Sequence, residues 1–308
     1  MPDAPPASEL KISYEKCELL AQSRLENFPV LSNYISPEHS HHLAAVYAFC
    51  RIADDAADEC ETALQALQKL DAIHNDLDCV FGVKRPAMFE FLALQATVRE
   101  RRLSRRPFEQ LLDAFRQDQR KTRYETWDEL IDYSKRSANP VGELVLSTAG
   151  EFENADIVNH QKKIELSNQI CTGLQLANFW QDISKDYKIG RIYIPADAMA
   201  RHGVSESDIA GERCTPAFCS LLAELCNLTE PLFVEGSSLA DIVGSRLKIP
   251  ILAFAIAGHE LIQRIRAAKF DVFTRRPEIG ELPLKKILAR AAAARFIRSF
   301  RPKIAVQK

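Results

Sequence analysis

Carboxylates recur every fourth residue at two widely separated places in this chain, and only a helix gives that spacing a common face. The first place is Asp54-Asp55-Ala56-Ala57-Asp58-Glu59, and the second is Asn178-Phe179-Trp180-Gln181-Asp182-Ile183-Ser184-Lys185-Asp186. On a helix Asp54 lies above Asp58, while Asn178, Asp182 and Asp186 stack along one stripe. Like charges so placed cost a helix roughly 0.2–0.5 kcal/mol per pair. A sequence that accepts this cost twice implies a cation that offsets it. The donors are hard oxygens with no cysteine or histidine beside them. That set suits Mg²⁺, which characteristically arrives with the phosphates of a substrate.

Each cluster closes an apolar helical segment. Leu43 to Ala53 is apolar nearly all round, the mark of a buried helix. Arg51 and Asp54 are therefore expected to enter a cavity from inside the protein. A cluster that merely protruded into water would still be opposed by the helix dipole at its C-terminal end. In the second segment Ile170, Leu174, Asn178, Asp182 and Asp186 follow in steps of four, with Gln175 close to the same face. A stripe that begins greasy and ends in carboxylates describes a pocket with an apolar floor and a charged rim. Arg51, Lys185, Lys188 and Arg191 lie near the acids, and an arginine fork suits the oxygens of a diphosphate.

The rest of the chain reads as helix. Apolar periodicity predicts helices at 8–26, 38–59, 61–80, 86–102, 106–119, 126–150, 157–187, 215–240, 245–271 and 282–300. Pro86, Pro107 and Pro283 sit where a first-turn proline is welcome, whereas Asn139-Pro140 should bend or interrupt its helix. Gly190-Arg191-Ile192-Tyr193-Ile194-Pro195 is the one clearly non-helical stretch. Only 11 glycines in 308 residues agree with an all-α chain. No linker or composition shift divides it, so one domain is expected over residues 11–300, with a flexible segment 1–10 and a tail 301–308.

Several function classes find no support. With 40 basic and 42 acidic residues the net charge is −2, which gives no electrostatic case for nucleic acid. There is no GxSxG, Walker loop or GxGxxG. His39, His41 and His42 read as a solvated N-terminal turn rather than a metal site. The opening Met1 to Pro6 lacks an apolar core, so no secretory leader is expected and the eight cysteines read as reduced thiols. The run from Cys214 to Cys226 does not fit zinc spacing and reads as packing. The longest uninterrupted apolar stretch, Ile249 to Gly258, is about half the ~20 residues of a membrane span. A cytoplasmic protein, with peripheral contact at the inner membrane as an option, is the expectation.

The stretch Tyr47 to Asp58, the stretch Gln175 to Asp186 and the following Gly190 to Pro195 resemble squalene and phytoene synthases, the head-to-head prenyl transferases. The likeness runs from about Asn27 to the Phe270-Asp271-Val272-Phe273 stretch. The opening Glu26-Asn27-Phe28-Pro29-Val30, with Asn178-Phe179-Trp180-Gln181-Asp182, is similar to the hydroxysqualene synthase (HpnC-type) branch of hopanoid biosynthesis. The resemblance implies the all-α isoprenoid-synthase fold, a helical bundle around a central cavity. It assigns Asp54, Asp58, Asn178, Asp182 and Asp186 to Mg²⁺. Tyr47, Arg51, Asp54, Asp58, Asp182 and Asp186 become the catalytic set, and Arg51, Gln175, Lys185, Arg191, Tyr133 and Phe28 the contacts to substrate or diphosphate.

Departures from the family pattern bear on the fate of the carbocation. Ser137-Ala138-Asn139-Pro140-Val141-Gly142 replaces a Val-Ala-Gly-x-Val-Gly stretch. Lys135-Arg136 stand in place of a tyrosine, with Tyr133 a little upstream. Gln181 stands where the family has arginine, and Ala257-Gly258-His259 replaces a tyrosine pair. These fit a branch that converts presqualene diphosphate to hydroxysqualene with Mg²⁺ and no NADPH. It would work beside a presqualene diphosphate synthase and a hydroxysqualene dehydroxylase. The rival within the family condenses two farnesyl diphosphates to presqualene diphosphate or squalene, or makes a phytoene-type product. A rival of another kind is a silent helical protein that binds a lipid or a partner. At the C-terminus Arg295, Arg298 and Arg301 interleave with Phe296, Ile297 and Phe300, which suits either a membrane-surface helix or a tail packed on the domain.

Overall fold

Prolines, caps and one buried carboxylate set the boundaries of the helices. The computed structural model describes residues 5–23, 37–153, 157–279 and 281–296, and among these no strand occurs. In chain order the helices are α1 (Ala7–Ser23), α2 (Pro37–Asp58), α3 (Ala63–Phe81), α4 (Glu90–Arg101), α5 (Arg106–Asp118), α6 (Trp127–Ser137) and α7 (Asn139–Thr148). There follow α8 (Ile157–Gln181), α9 (Ile183–Lys188), α10 (Ala196–His202), α11 (Glu206–Ala210), α12 (Pro216–Gly236), α13 (Leu239–Ile242), α14 (Lys248–Ala267) and α15 (Glu281–Phe296).

Thr62 caps α3 by accepting from the Gln65 N–H at 3.3 Å, and Thr215 caps α12 by accepting from the Phe218 N–H at 3.1 Å. Of the bend or interruption expected at Asn139-Pro140, the structure shows an interruption, between α6 and α7. Pro86, by contrast, does not open a helix. The buried Asp76 carboxylate takes the N–H groups of Ala87 at 2.6 Å and Met88 at 2.7 Å. That capture holds the chain in a turn until Glu90. α1 starts at Ala7, one residue before the expected helix at 8, and the short helices α10 and α11 were not foreseen.

Contacts sort the chain into two compact units, Met1–Lys121 with Lys135–His160, and Thr122–Ser134 with Gln161–Lys308. Two of the crossings fall inside α6 and α8, which is why no linker marks them. In the first unit α2 is touched by α1, α3, α4, α5 and α7, which accounts for its apolar circumference. Its Phe49 meets Phe108 edge-on at 4.9 Å and Phe91 at 5.7 Å. Fully burying side chains of this kind stabilises by about 1.5–3 kcal/mol each. His42 is not in a solvated turn, as its neighbours suggested, but is 1% exposed. It bonds Thr97 Oγ1 at 2.9 Å and Glu100 Oε1 at 3.1 Å. Burial, then the neighbouring His41, push its pKa down to about 4.

In the second unit the buried Trp180 donates its indole N–H to Thr229 Oγ1 at 2.8 Å, tying α8 to α12. Pro216–Ile242 is long and apolar enough to cross a membrane by length and composition alone. It exceeds the Ile249 to Gly258 run on which the sequence reading rested. In this fold the stretch is α12 and α13, with one face of α12 turned into the core. Phe218, Leu221, Leu222, Leu225 and Phe233 are buried, while Glu224 pairs with Arg201 and His202, and Glu230 with His259 and Arg266.

Candidate active site

The first acidic cluster forms the last turn of α2, in the first unit. Arg51 reaches along the helix to its own acids. Its Nη1 is 3.0 Å from Asp54 Oδ2, and its Nη2 pairs with Asp55 and lies 3.8 Å from Glu59 Oε1. The guanidinium side chain is 20% exposed. Burial pulls its pKa down, but Asp55, Asp54 and Tyr47 outweigh burial and hold it above the ordinary arginine value. Arg51 Nε is buried with no acceptor. A buried N–H left unpaired costs about 1–3 kcal/mol, so this arginine has an unmet demand for an anionic oxygen. Asp58 is exposed and Tyr47 half-buried. Asp55, absent from the expected ligand set, turns out to be a direct partner of Arg51.

The second cluster lies in the second unit. The continuous helix expected to Tyr187 breaks at Asp182, whose φ of −103° and ψ of 16° separate α8 from α9. The four-residue spacing survives the break. The Asp182 N–H donates to Asn178 O at 2.9 Å, and the Asp186 N–H to Asp182 O at 2.8 Å. Asn178 is exposed and Gln175 half-buried, as the greasy-to-polar stripe required, while Leu176, Ala177, Phe179 and Trp180 are buried. Lys185 is exposed. The Arg191 N–H donates to Asp186 O at 2.8 Å, so the turn after α9 folds back on the cluster. Gly190 makes that turn possible, since its φ of 83° is a region that side chains disfavour. The following stretch lies beside residues 122–125 through the bonds Ile192 N–H to Thr122 O and Ala196 N–H to Tyr124 O, both 2.9 Å.

Tyr133, expected at the substrate, is 3% exposed and sits in a stack with Tyr124, Phe179 and Tyr193. Tyr193 and Phe179 lie 3.8 Å apart and nearly parallel at 12°. The stack buttresses the flank of α8 next to Asn178. Phe28 lies outside the described residues, as do Arg298, Phe300, Arg301 and the side chains of Arg295 and Phe296.

Sequence reasoning missed Arg276. Its guanidinium grips Asp182 with Nε on Oδ1 and with Nη2 on Oδ2 at 3.1 Å. The bond to Asp182 holds the arginine above its ordinary pKa. Gln181 is 6% exposed and donates its amide N–H to Pro277 O. Together these two bonds lay the segment around 276–277 against the second cluster. The available signal was the run Arg275-Arg276-Pro277, just past the point where the family likeness was followed.

Residues 22–282 match the squalene/phytoene synthase family. The chain belongs to that family. It is therefore an enzyme of a class that acts on prenyl diphosphates. It is 34% identical to the hydroxysqualene synthase of Rhodopseudomonas palustris over 246 residues, 79% of this chain and 80% of the relative. To that of Zymomonas mobilis it is 36% identical over 260 residues, 83% and 81% of the two chains. Among solved structures, squalene synthase HpnC from Alicyclobacillus acidocaldarius superposes with a TM-score of 0.77 at 35% identity, covering 86% of this chain and 97% of that one. The fold expectation, all-α of the isoprenoid-synthase type, is thereby met. Gly258, in the Ala257-Gly258-His259 stretch, packs against an aromatic ring. The Phe233 ring lies so close that a Cβ on Gly258 would stand 2.1 Å from its Cε1.

Proposed function

We propose that the enzyme converts presqualene diphosphate to hydroxysqualene. What carries the reading is 34–36% identity, over three quarters or more of the chain, to relatives named hydroxysqualene synthases. In the reaction the C–O bond to the diphosphate breaks and the leaving group takes the electron pair. The cyclopropylcarbinyl cation rearranges, water adds its oxygen lone pair to the C30 cation, and the added water loses a proton to solvent.

The donors present fit Mg²⁺. Asp54 and Asp58 would hold it in one cluster, and Asn178, Asp182 and Asp186 in the other. No group of three or more His, Cys, Asp or Glu side chains forms a ready-made cage among the described residues. That agrees with an ion bound through one or two carboxylates plus substrate phosphates. When bound, Mg²⁺ would neutralise charge developing on the departing diphosphate. Arg51, with its buried unpaired Nε, would donate to a diphosphate oxygen and Tyr47 would help position it, while Gln175, Lys185 and Arg191 would contact diphosphate at the second cluster. Oriented donors aimed at developing charge act without reorganisation during the reaction. Apolar helix faces would keep stray nucleophiles from the cation.

The test is product analysis by mass spectrometry. Purified enzyme with Mg²⁺ and presqualene diphosphate, without NADPH, should yield hydroxysqualene. Turnover of farnesyl diphosphate but not of presqualene diphosphate would replace this reading with the condensation reaction. The name of the HpnC structural relative favours a second reading, squalene itself, and a product formed only with NADPH would establish it. Asp54→Asn and Asp182→Asn should each lower turnover by roughly 10²–10³-fold, the scale of losing one transition-state stabiliser, with helical circular dichroism unchanged. A presqualene diphosphate synthase would supply the substrate and a dehydroxylase would consume the product. The enzyme would work in the cytoplasm, touching the membrane only peripherally to release an apolar product.

A further inference from the structure

Two thiols touch at the entry to α12. Cys214 immediately precedes the cap residue Thr215, and Cys219 is the fourth residue after it. These are the two positions whose side chains ordinarily meet as a hydrophobic staple across a helix start. Here the staple is made of sulfur, with the two Sγ atoms 3.3 Å apart. Cys214 is exposed and Cys219 half-buried, so a small reagent can reach the pair, whereas Cys17 and Cys226 are buried. A covalent S–S bond is about 2.05 Å long, so closure needs only a shift of a little over 1 Å between side chains already facing each other.

We propose that Cys214 and Cys219 form a reversible redox site that closes to a disulfide in exchange with a low-molecular-weight disulfide such as oxidised glutathione. One cysteine, as thiolate, attacks a sulfur of oxidised glutathione and releases one glutathione thiolate, which takes up a proton. The second cysteine then loses its proton and attacks the first cysteine's sulfur, releasing the second glutathione. Two protein thiols lose two electrons in all, and one glutathione disulfide becomes two thiols. Burial, then contact with Cys219 and the charge of Asp271, push the Cys214 thiol up to about 12. At rest the Cys214 thiol is therefore protonated, and exchange is slow unless the disulfide is in excess.

The site bears on the second acidic cluster through the backbone. Cys219 Sγ also donates to Lys269 O at 3.5 Å. Lys269 and Phe270 hold φ values of 55° and 64°, a left-handed conformation disfavoured for residues with side chains. The chain then runs to Arg276, which grips Asp182. Closure removes the S–H and with it the donor to Lys269 O, so the oxidised form has a looser segment 269–276.

The folded, full-length protein incubated at pH 8 with excess oxidised glutathione should lose two hydrogen masses, and peptide mapping should place the cross-link at Cys214–Cys219. Dithiothreitol should reverse it. Cys214→Ser and Cys219→Ser should each stop at a single glutathione adduct. Amide exchange over 269–276 should quicken in the oxidised wild type alone. A stable glutathione adduct on the wild type without closure would overturn the proposal. So would a closure rate equal to that of the urea-unfolded chain, since the helix entry would then contribute nothing. Unchanged exchange over 269–276 would overturn the link to Arg276. None of these readouts depends on which prenyl diphosphate the enzyme takes.

Discussion

Arg276→Gln should make the diphosphate-free enzyme bind divalent cations more tightly. Asp182 is 15% exposed, and both of its carboxylate oxygens are engaged by the guanidinium of Arg276, which is 43% exposed. A charge-assisted hydrogen bond contributes roughly 1.5–3 kcal/mol when well buried. Solvent on the arginine side screens this pair, which places the two bonds together nearer ~1–2 kcal/mol. A cation that takes Asp182 has to displace the arginine first and so forfeits that amount. With glutamine at 276 the competition disappears, and at 1.4 kcal/mol per tenfold the affinity should rise by about 5–30-fold. Mn²⁺ titration followed by electron paramagnetic resonance measures this directly, with Asp182→Asn as the control that should weaken binding. Unchanged or weaker Mn²⁺ affinity in Arg276→Gln would refute the reasoning, because it would mean that the ion pair does not stand in the cation's way.

Two further outcomes follow from the packing and the titration of the two units. Gly258→Ala should destabilise the protein by roughly 1–3 kcal/mol in urea unfolding, the cost of overpacking a fitted core. The new Cβ would stand 2.1 Å from Phe233, whose ring is also held against Gly173. Adding Phe233→Leu should recover part of the loss, and no recovery would mean that the ring is not the obstacle. His42 titrates near 4 when folded against an ordinary 6.5, because burial disfavours its charged form. A depressed histidine pKa gives stability that is complete above pH 6.5 and is lost as pH falls from 6.5 toward 4. The loss should be roughly 1–3 kcal/mol for a shift of this size. His42→Gln should flatten that part of the curve in denaturant midpoints measured from pH 7 to pH 4.

The candidate site was legible where chemistry and helical period coincide. The four-residue spacing of Asp54 and Asp58, and of Asn178, Asp182 and Asp186, is itself a statement of shared face. Its survival across the break at Asp182 shows that the backbone bonds keep the period even where the dihedrals depart from it. The apolar circumference of Leu43 to Ala53 likewise announced a helix surrounded by others. Less was legible where partners come from far along the chain. Arg276 reaches Asp182 across 94 positions and Gln181 meets Pro277 across 96, and no local pattern carries such pairings. His42 looked solvated because its neighbours His39 and His41 are polar, yet it is paired with Thr97 and Glu100, more than fifty residues away. The Pro86 helix start failed for a similar reason, since Asp76 takes the two N–H groups that would have begun it.

The sequence by itself determined the helical class, the two oxygen-rich faces and the arginine set within reach of the first of them. Those properties depend on residues within a turn or two of one another, where a fixed rise and period leave little freedom. Tertiary structure alone decided which carboxylates are already neutralised and by whom, and that the Phe233 ring packs against Gly258 and Gly173. It also decided that two cysteines five residues apart meet sulfur to sulfur. These depend on which distant side chain first satisfies a buried charge, donor or void, and that competition is settled only when the helices pack.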